Sequence, residues 1–216
     1  MTPPSVAPTS SPRPHPRRSM PKIVDHDQRR QEVLAATWRV IARVGLDATT
    51  IRRIADEAGH SVGVLTHYFK DKEDILISAH LLAFARARAR IVEATEGRSS
   101  LDALRLAMLE ALPLDEERLL EAHVDVSFLG HSVGNAHLRQ IRSTSNAHSR
   151  DLWGGFVAQA QDSGEVCRDA DASLIVDEIK ALIESLSIQA IIDPERMTPE
   201  HQVALVSRFL ARMPAG

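Results

Sequence analysis

The chain has 216 residues, of which 44% are hydrophobic, and its formal net charge is −3 at pH 7. This content supports one large or two small cores, and no run approaches the roughly 18 apolar residues of a membrane-spanning helix. We therefore expect a soluble protein with no membrane partner. The single cysteine, Cys167, excludes an internal disulfide framework and suits a reducing compartment, so we also expect a cytoplasmic location.

Charge is unevenly divided along the chain. Residues 1–72 contain 12 Lys or Arg and 7 Asp or Glu, a net charge of +5, whereas the remaining residues contain 14 and 22, a net charge of −8. Phosphate attraction is electrostatic, so a basic N-terminal part on an acidic body is typical of a protein that binds DNA at one end.

Residues 1–21 are rich in proline and serine and carry arginines but no acid. Such a composition cannot build a helix or a core, and we predict a disordered Pro/Arg-rich arm. No apolar run follows the arginines, which argues against a secretory signal. The arm either adds phosphate contacts or is an inert tail, and Met20 is an alternative start.

Three short helical segments follow the arm. Apolar residues at helical spacing predict a first helix from Val33 to Val44 and a second from Ile51 to Ala58. Gly59 then suits the left-handed residue that ends a helix.

Ser61 offers an N-cap two residues after Gly59, so the third helix should run from about Val62 to Phe69. Two helices joined by so short a turn must cross steeply. Cationic and hydroxyl groups lie on their polar side, which is typical of a DNA-reading helix-turn-helix.

Residues 58–76 contain a series of closely spaced motifs: Ala58-Gly59, Ser61-Val62-Gly63, Val64-Leu65, His67-Tyr68-Phe69 and Lys72-Glu73-Asp74-Ile75-Leu76. In these motifs the stretch resembles the TetR family of transcriptional regulators. The resemblance covers about a quarter of the chain, and the Val64 to Phe69 variant looks most like the choline-responsive betaine-pathway (BetI-like) branch. His60 stands where the family usually has Val, and Thr66 where it often has Tyr.

The resemblance implies a set of DNA-binding residues. Thr50, Tyr68 and Lys72 would contact phosphates, with His67 nearby; Arg52, Val62, Gly63, Val64 and Thr66 would face the major groove, and Arg53 and Ser61 complete the set. The chemistry agrees, because hydroxyls and an ammonium bind phosphate oxygens, whereas Arg52 alone here can bind a guanine edge bidentately.

The rest of the chain also has helical periodicity. A fourth helix should run from Lys72 to about Glu96, with Arg86, Arg88 and Arg90 on a solvated face, and further helices are predicted at 100–112, 115–131, 136–162, 170–192 and 199–212. We therefore predict an all-α fold. A three-helix helix-turn-helix DNA-binding domain at 22–72 precedes a larger helical ligand-binding and dimerisation domain at 73–216.

By the same resemblance, the chain would be a repressor that binds an inverted-repeat double-stranded DNA operator as a homodimer and is released by a small-molecule effector. Two apolar stripes near the C-terminus are the candidate dimer interface: Ile175, Ile179, Leu182, Leu186, Val203, Val206 and Leu210. The candidate effector contacts are Val124, Phe128, His131, Trp153, Phe156, Leu174 and Asp177. No cofactor, metal site or catalytic residue is predicted.

Two alternatives remain open at this point. Gly-His-Ser-Val-Gly at 130–134 fits the nucleophile elbow of a serine hydrolase, with Val124 to Phe128 alternating like a strand and with Asp193 and His201 in the expected order. No series of strand-like runs supports the sheet that such an elbow needs. The second alternative is a DNA-binding protein that has no effector.

Overall fold

The computed structural model describes residues 23–98 and 100–213, apart from the side chains of residues 23–25 and 27. These residues form nine α-helices and no strand: α1 (Ile23–Val44), α2 (Ile51–Ala58), α3 (Val62–Tyr68), α4 (Lys72–Thr95), α5 (Ser100–Glu110), α6 (Glu116–Gly134), α7 (Ala136–Asp162), α8 (Ala172–Ile192) and α9 (Pro199–Leu210). The all-α prediction is confirmed, and the predicted arm at 1–21 lies outside the described residues. None of these helices is both long and apolar enough to cross a membrane.

Capping side chains set the starts of the helices around the turn. The side-chain oxygens of Thr50, Ser61 and Asp71 accept hydrogen bonds from the backbone N–H three residues later, which satisfies donors that a helix leaves free. Gly59 ends α2 at φ 69°, where a side chain would be strained. The boundaries predicted for α2 and α3 therefore hold to within a residue, whereas α1 begins at Ile23 rather than Val33.

One hydrophobic cluster, which we call the junction core, joins the first three helices to the rest of the chain. Helix α1 packs against α2, α4 and α6, and Trp38 Nε1 donates a hydrogen bond to the Ala79 carbonyl at 3.2 Å. The junction core consists of Val33, Leu34, Trp38, Ile41, Leu46, Ile54, Ala55, Leu65, Phe69, Ile75, Leu76, Ala79, Ala83, Val124, Phe128 and Leu138. Because the junction core includes residues of α6 as well as of α2 and α3, a movement of α6 would also displace the helices around the turn.

A second cluster, the C-terminal core, holds the body together. Helix α5 packs on α4, α7 and α9, and α8 packs on α6 and α7. The C-terminal core consists of Ile91, Ala103, Leu104, Ala107, Met108, Leu112, Trp153, Phe156, Val157, Ala160, Val166, Ile175, Val176, Ile179, Leu186 and Val206.

The arginines of α4 are not a uniformly solvated face, which corrects the sequence prediction. The Arg86 guanidinium lies over the Trp38 ring at 4.8 Å and pairs with Glu117 at 2.7 Å. Arg90 binds both carboxylate oxygens of Glu121, at 3.0 and 2.6 Å. Arg86 and Arg90 thus join α4 to α6, and Arg88 alone of the three is exposed.

The strand-like alternation from Val124 to Phe128 lies in the middle of helix α6. Both residues are fully buried, and their i, i+4 spacing puts them on one helical face. Ser132 is also inside α6, where its hydroxyl donates to the Leu129 carbonyl at 2.7 Å. A nucleophile elbow needs a strand before the serine, and the described residues contain none, so the hydrolase alternative has no structural support.

Candidate nucleic-acid interface and ligand cavity

Helix α3 presents one side to solvent and one to the junction core. Leu65 is its buried anchor, whereas Gly63, Thr66 and His67 are exposed and Val62 keeps 43% of its surface accessible. The Thr66 hydroxyl donates to the Gly63 carbonyl at 3.1 Å. The outer side of α3 is therefore small, partly apolar and free of acidic groups, and Val64 and Tyr68 are half-buried at its edges.

Arginine side chains of α2 flank this surface. Arg52 is exposed and its side chain has no ion pair or hydrogen bond with any residue in the described ranges, so its guanidinium is available. Arg53 Nη1 donates to the Ala48 carbonyl at 2.8 Å and is partly committed to the loop before α2. The Thr50 hydroxyl caps α2 by accepting from the Arg53 amide at 3.2 Å.

A cluster of aromatic rings lies at the end of α3. The His26 ring on α1 lies 4.3 Å from the Tyr68 ring and 6.0 Å from the His67 ring, centroid to centroid. His26 was not among the predicted site residues, because it precedes the periodic apolar residues of α1 and no motif marks it. Its ring extends the candidate surface from α3 to the start of α1.

The ammonium group of Lys72, which is predicted to contact a DNA phosphate, binds backbone carbonyls of the protein itself. Its Nζ donates to the Leu46 carbonyl at 2.9 Å and lies 3.5 Å from the Asp47 carbonyl. Lys72 thus ties the start of α4 to the loop between α1 and α2. Its predicted phosphate contact remains a prediction.

An ion-pair cluster fixes α2 against α1. Arg39 and Arg43 donate to the two carboxylate oxygens of Glu57 at 2.8 and 2.9 Å. These hydrogen bonds hold the pKa of Glu57 below its ordinary value. Surface pairs of this kind contribute little stability, but these two join α2 to α1.

A cavity of about 180 Å³ lies in the helical body, between α4, α6, α7 and α8. Its apolar walls include Phe84, Leu129, Trp153 and Ile183. The ionisable side chains that line it are His80, Arg88, Arg90, Arg118, Glu121, Asp125, Arg142, Lys180 and Glu184. A concave, mostly apolar site with a few converging polar groups is typical of small-molecule binding.

Asp125 is the centre of one charged cluster on the cavity wall. It is ion-paired to Arg142, and His80 Nδ1 lies 3.3 Å from its Oδ1. Burial acts to raise the pKa of Asp125, but the interaction with His80 and the charge of Arg142 outweigh it and hold that pKa below 3.8. The His80 ring is also stacked on Phe128 at 4.1 Å, so the cluster is in contact with the junction core.

We expect Arg142→Met to lower the free energy of unfolding by about 2 kcal/mol near pH 7, because it leaves Asp125 and Glu184 without their guanidinium. This loss of unfolding free energy is smaller than the loss expected when a fully enclosed ion pair is broken, because both carboxylates face the cavity. In the parent, the depressed pKa means that the stabilisation by Asp125 is present above pH 3.8 and lost as the pH falls through the folded-state value.

In the Arg142→Met protein, the pKa of Asp125 should rise, so the deficit should shrink as acid protonates that carboxyl. Urea unfolding near pH 7 and near pH 5 measures both effects. The matched control is Arg142→Met combined with Asp125→Asn, which should recover part of the loss because the carboxylate charge is gone. An equal loss in the single and double variants would contradict this account.

A second charged cluster closes the other side of the cavity. Arg90, which binds Glu121, also lies 3.7 Å from Glu110. The hydrogen bonds with Glu121 raise the pKa of Arg90, and burial opposes this effect. Arg118 pairs with Asp115 at 2.6 Å and with Glu110 at 3.2 Å. Every cavity-lining carboxylate is thus bound by an arginine.

The structure brings only one of the predicted effector contacts, Trp153, to the cavity wall. Val124 and Phe128 are buried in the junction core, and Phe156 belongs to the C-terminal core. The other three predicted contacts are at the surface. They are His131, which pairs with Asp47 at 3.0 Å; Leu174, which is 63% exposed; and Asp177, which pairs with Arg150 at 3.1 Å.

The predicted dimer stripe is largely covered within one chain. Ile175, Ile179, Leu186 and Val206 are buried in the C-terminal core, so they serve the subunit interior rather than an outer face. Leu182, Val203 and Leu210 are half-buried. The opposite side of α8 is exposed and carries Leu174, Ala181, Ser185 and Ile192 at helical spacing. Because amphipathicity identifies a buried stripe but not the element that covers it, the position of the dimer interface remains a prediction.

Comparison with known proteins gives two adjoining family matches. Residues 33–79 match the family described as "Bacterial regulatory proteins, tetR family", and residues 100–215 match that described as "BetI-type transcriptional repressor, C-terminal". The second match covers more than half of the chain and agrees with the branch indicated by the motif at 64–69.

Individual proteins are similar over most of their length. The HTH-type transcriptional regulator PksA of Bacillus subtilis is 30% identical over 185 residues, 84% of this chain and 87% of that protein. The HTH-type transcriptional regulator BetI of Cronobacter sakazakii is 28% identical over 203 residues, 91% and 96% of the two chains. A Saccharomonospora viridis putative transcriptional regulator, solved in complex with choline, has the same fold, with a TM-score of 0.78 at 24% identity over 86% and 97%.

Proposed function

The chain belongs to the TetR family of helix-turn-helix transcriptional regulators, and on this basis we propose that it is a repressor that binds an inverted-repeat operator as a homodimer and is released by a small-molecule effector. The observation that carries the proposal is the exposed, acid-free side of α3 beside an available Arg52. We propose residues 22–72 as the DNA-binding unit and 73–216 as the effector-binding and dimerisation unit. A regulator that acts on DNA would work in the cytoplasm, and we assign it no catalytic residue.

The DNA contacts divide by chemistry. Arg52 and Thr66 would bind base edges, and the exposed Val62 would contact a thymine methyl group. Thr50, His67, Tyr68 and Lys72 would position the domain on phosphates, and His26 joins this group through its contact with Tyr68. Gly63 and Val64 would allow close approach of the α3 backbone, Ser61 fixes the start of α3, and Arg53 adds positive charge.

The operator is best identified by selection from random double-stranded DNA. A two-fold dimer should enrich an inverted repeat whose half-sites are separated by about one helical turn or a multiple of it. Enrichment of single half-sites, or of no sequence, would contradict the proposal. The selected operator then serves in a displacement assay with candidate effectors.

Arg52→Ala should weaken operator binding by about 1–3 kcal/mol and relax the preference at one base pair in each half-site, because the bidentate contact is lost. The measurement is a binding titration against the operator and its single-base variants at fixed salt. The matched control is Arg105→Ala, which removes an exposed arginine from α5. A loss that is equal for all sequences would instead assign Arg52 to a phosphate.

The route from the cavity to the DNA-binding helices is short. His80 of α4 is on the cavity wall and stacks on Phe128, while Lys72 at the start of α4 holds the loop before α2. His131 at the end of α6 pairs with Asp47 in the same loop. An effector that prefers another arrangement of α4 and α6 would reorient α2 and α3, and a coupling of about 1–3 kcal/mol is typical of such site pairs.

The second candidate, a DNA-binding protein without an effector, predicts that no metabolite changes the melting temperature. The cavity and its converging charged groups favour the effector-responsive function. Thermal-shift screening followed by the displacement assay separates the two candidates, because a ligand that binds the folded protein raises its melting temperature.

A further inference from the structure

The residues that line the cavity include more Lys and Arg than Asp and Glu side chains. Glu121 lies within 4 Å of the Arg90 guanidinium, and Asp125 and Glu184 both lie within 4 Å of the Arg142 guanidinium. Lys180 and Arg88 also line the cavity, but neither has an ion pair with any residue in 23–98 or 100–213. The wall therefore presents two cations without acidic partners and no carboxylate without a cationic one.

Lys180 is the more enclosed of the two cations. Its Nζ donates a long hydrogen bond, 3.4 Å, to the Asn146 side-chain oxygen. Burial and the charges of Arg150 and Arg142 lower the pKa of Lys180, and the opposing effects of Glu184 and Asp125 do not compensate. The ammonium is therefore partly desolvated and has no ion pair within 4 Å among the described residues, which favours an anion beside it.

Two hydrogen-bond donors of residues that line the cavity have no acceptor. Arg90 Nε and Arg142 Nε are buried and have no hydrogen-bond acceptor among the described residues. Because buried donors are satisfied in most proteins, a ligand that carries hydrogen-bond acceptors suits this wall better than one that carries donors.

Size and wall chemistry restrict the rest of the ligand. An engineered cavity of about 150 Å³ holds benzene, so the roughly 180 Å³ found here fits a single ring or a branched chain with a small polar group. Trp153, Phe84 and Ile183 provide apolar walls for such a body.

We propose that the effector is a small organic acid whose carboxylate binds Lys180 and whose ring or branched body packs against Trp153. This inference rests on the proposed effector-responsive function and specifies its ligand class. Arg88, exposed at the rim, attracts the anion toward the cavity. A quaternary ammonium such as choline is disfavoured, because Glu121, Asp125 and Glu184 are already paired and the walls have too few aromatic rings for a cage.

The test uses ligands that share one skeleton and differ in charge: benzoate, benzamide and benzylamine, together with choline and a set of branched aliphatic acids. Melting temperature and calorimetric titration of the full chain measure binding. At least one acid should raise the melting temperature at millimolar concentration, and its neutral and cationic counterparts should not. Stabilisation by the amide, the amine or choline alone, or by no acid of the set, would overturn the inference.

Lys180→Met and Lys180→Arg are the diagnostic variants. Lys180→Met should weaken acid binding at least about tenfold, because a hydrogen bond to a charged group is lost. It should also raise the melting temperature of the unliganded protein by roughly 2 °C, because a partly desolvated charge is removed. Lys180→Arg should keep the preference for acids. Unchanged acid binding in Lys180→Met would show that the carboxylate binds elsewhere.

The operator assay distinguishes this inference from the proposed function. An acid that binds at Lys180 but leaves the operator bound would support the ligand class and contradict effector release. Release of the operator by a cationic or neutral ligand alone would support the regulatory function and contradict the ligand class.

Discussion

The Phe128→Ala protein is expected to lose about 3–5 kcal/mol of unfolding free energy, among the largest losses for a single change in this chain. Phe128 is fully buried in the junction core and stacks on His80 at 4.1 Å. Truncation leaves a cavity between α4 and α6 that rigid helices can only partly fill. Urea unfolding measures the loss as a lower midpoint with an unchanged slope. A cost below about 1 kcal/mol would show that the junction core can collapse around the gap.

The milder Phe128→Leu change tests the route from the cavity to the DNA-binding helices. We expect it to preserve effector binding but to reduce the change in operator affinity that the effector produces, because His80 loses its stacked partner. The matched control is Phe156→Leu, the same change in the C-terminal core. If both variants retain full coupling, the signal does not pass through the contact between Phe128 and His80.

Ala181→Arg should give a monomer whose affinity for the intact operator is at least about a thousandfold lower, since specific binding exceeds non-specific binding by that factor or more. Ala181 is in the middle of the exposed side of α8, between Leu174 and Ile192, which are 63% and 70% exposed. If this side packs on a partner subunit, a long cationic side chain at its centre must separate the two helices. Analytical ultracentrifugation and an operator titration measure the two effects.

Ala85→Arg is the matched control for this prediction. Ala85 is an exposed alanine of α4, away from the proposed interface, so its replacement adds the same side chain without touching α8. It should leave both dimerisation and operator binding intact. A dimeric Ala181→Arg protein with normal affinity would place the interface on another surface.

Local signals allowed the DNA-binding helices to be predicted. Thr50, Ser61 and Gly59 act through hydrogen bonds and backbone angles within three or four residues, so their consequences can be read directly from the chain. The same holds for the apolar spacing that identifies α4 to α9. Val124 to Phe128 was ambiguous only because a short alternation also contains the i, i+4 spacing of a helix.

The cavity of the helical body could not be predicted in this way. Of seven candidate effector contacts, only Trp153 lines it, whereas Lys180, Arg142 and Asp125 had no distinguishing motif. Their pairing depends on how α6, α7 and α8 pack. From sequence alone a charged residue in a helix is predicted to face solvent, and only the packing of the neighbouring helices shows that it is enclosed.

The sequence by itself determined the boundaries of α2 and α3, the helix-turn-helix and the division between a basic N-terminal part and an acidic body, because these depend on short-range capping, periodicity and composition. Only the tertiary structure decided that Ile179 faces the interior while Ala181 faces outward, and that Lys180 meets the cavity without an acidic partner. The physical reason is that burial and electrostatic environment are properties of helix packing, which joins residues far apart in the chain.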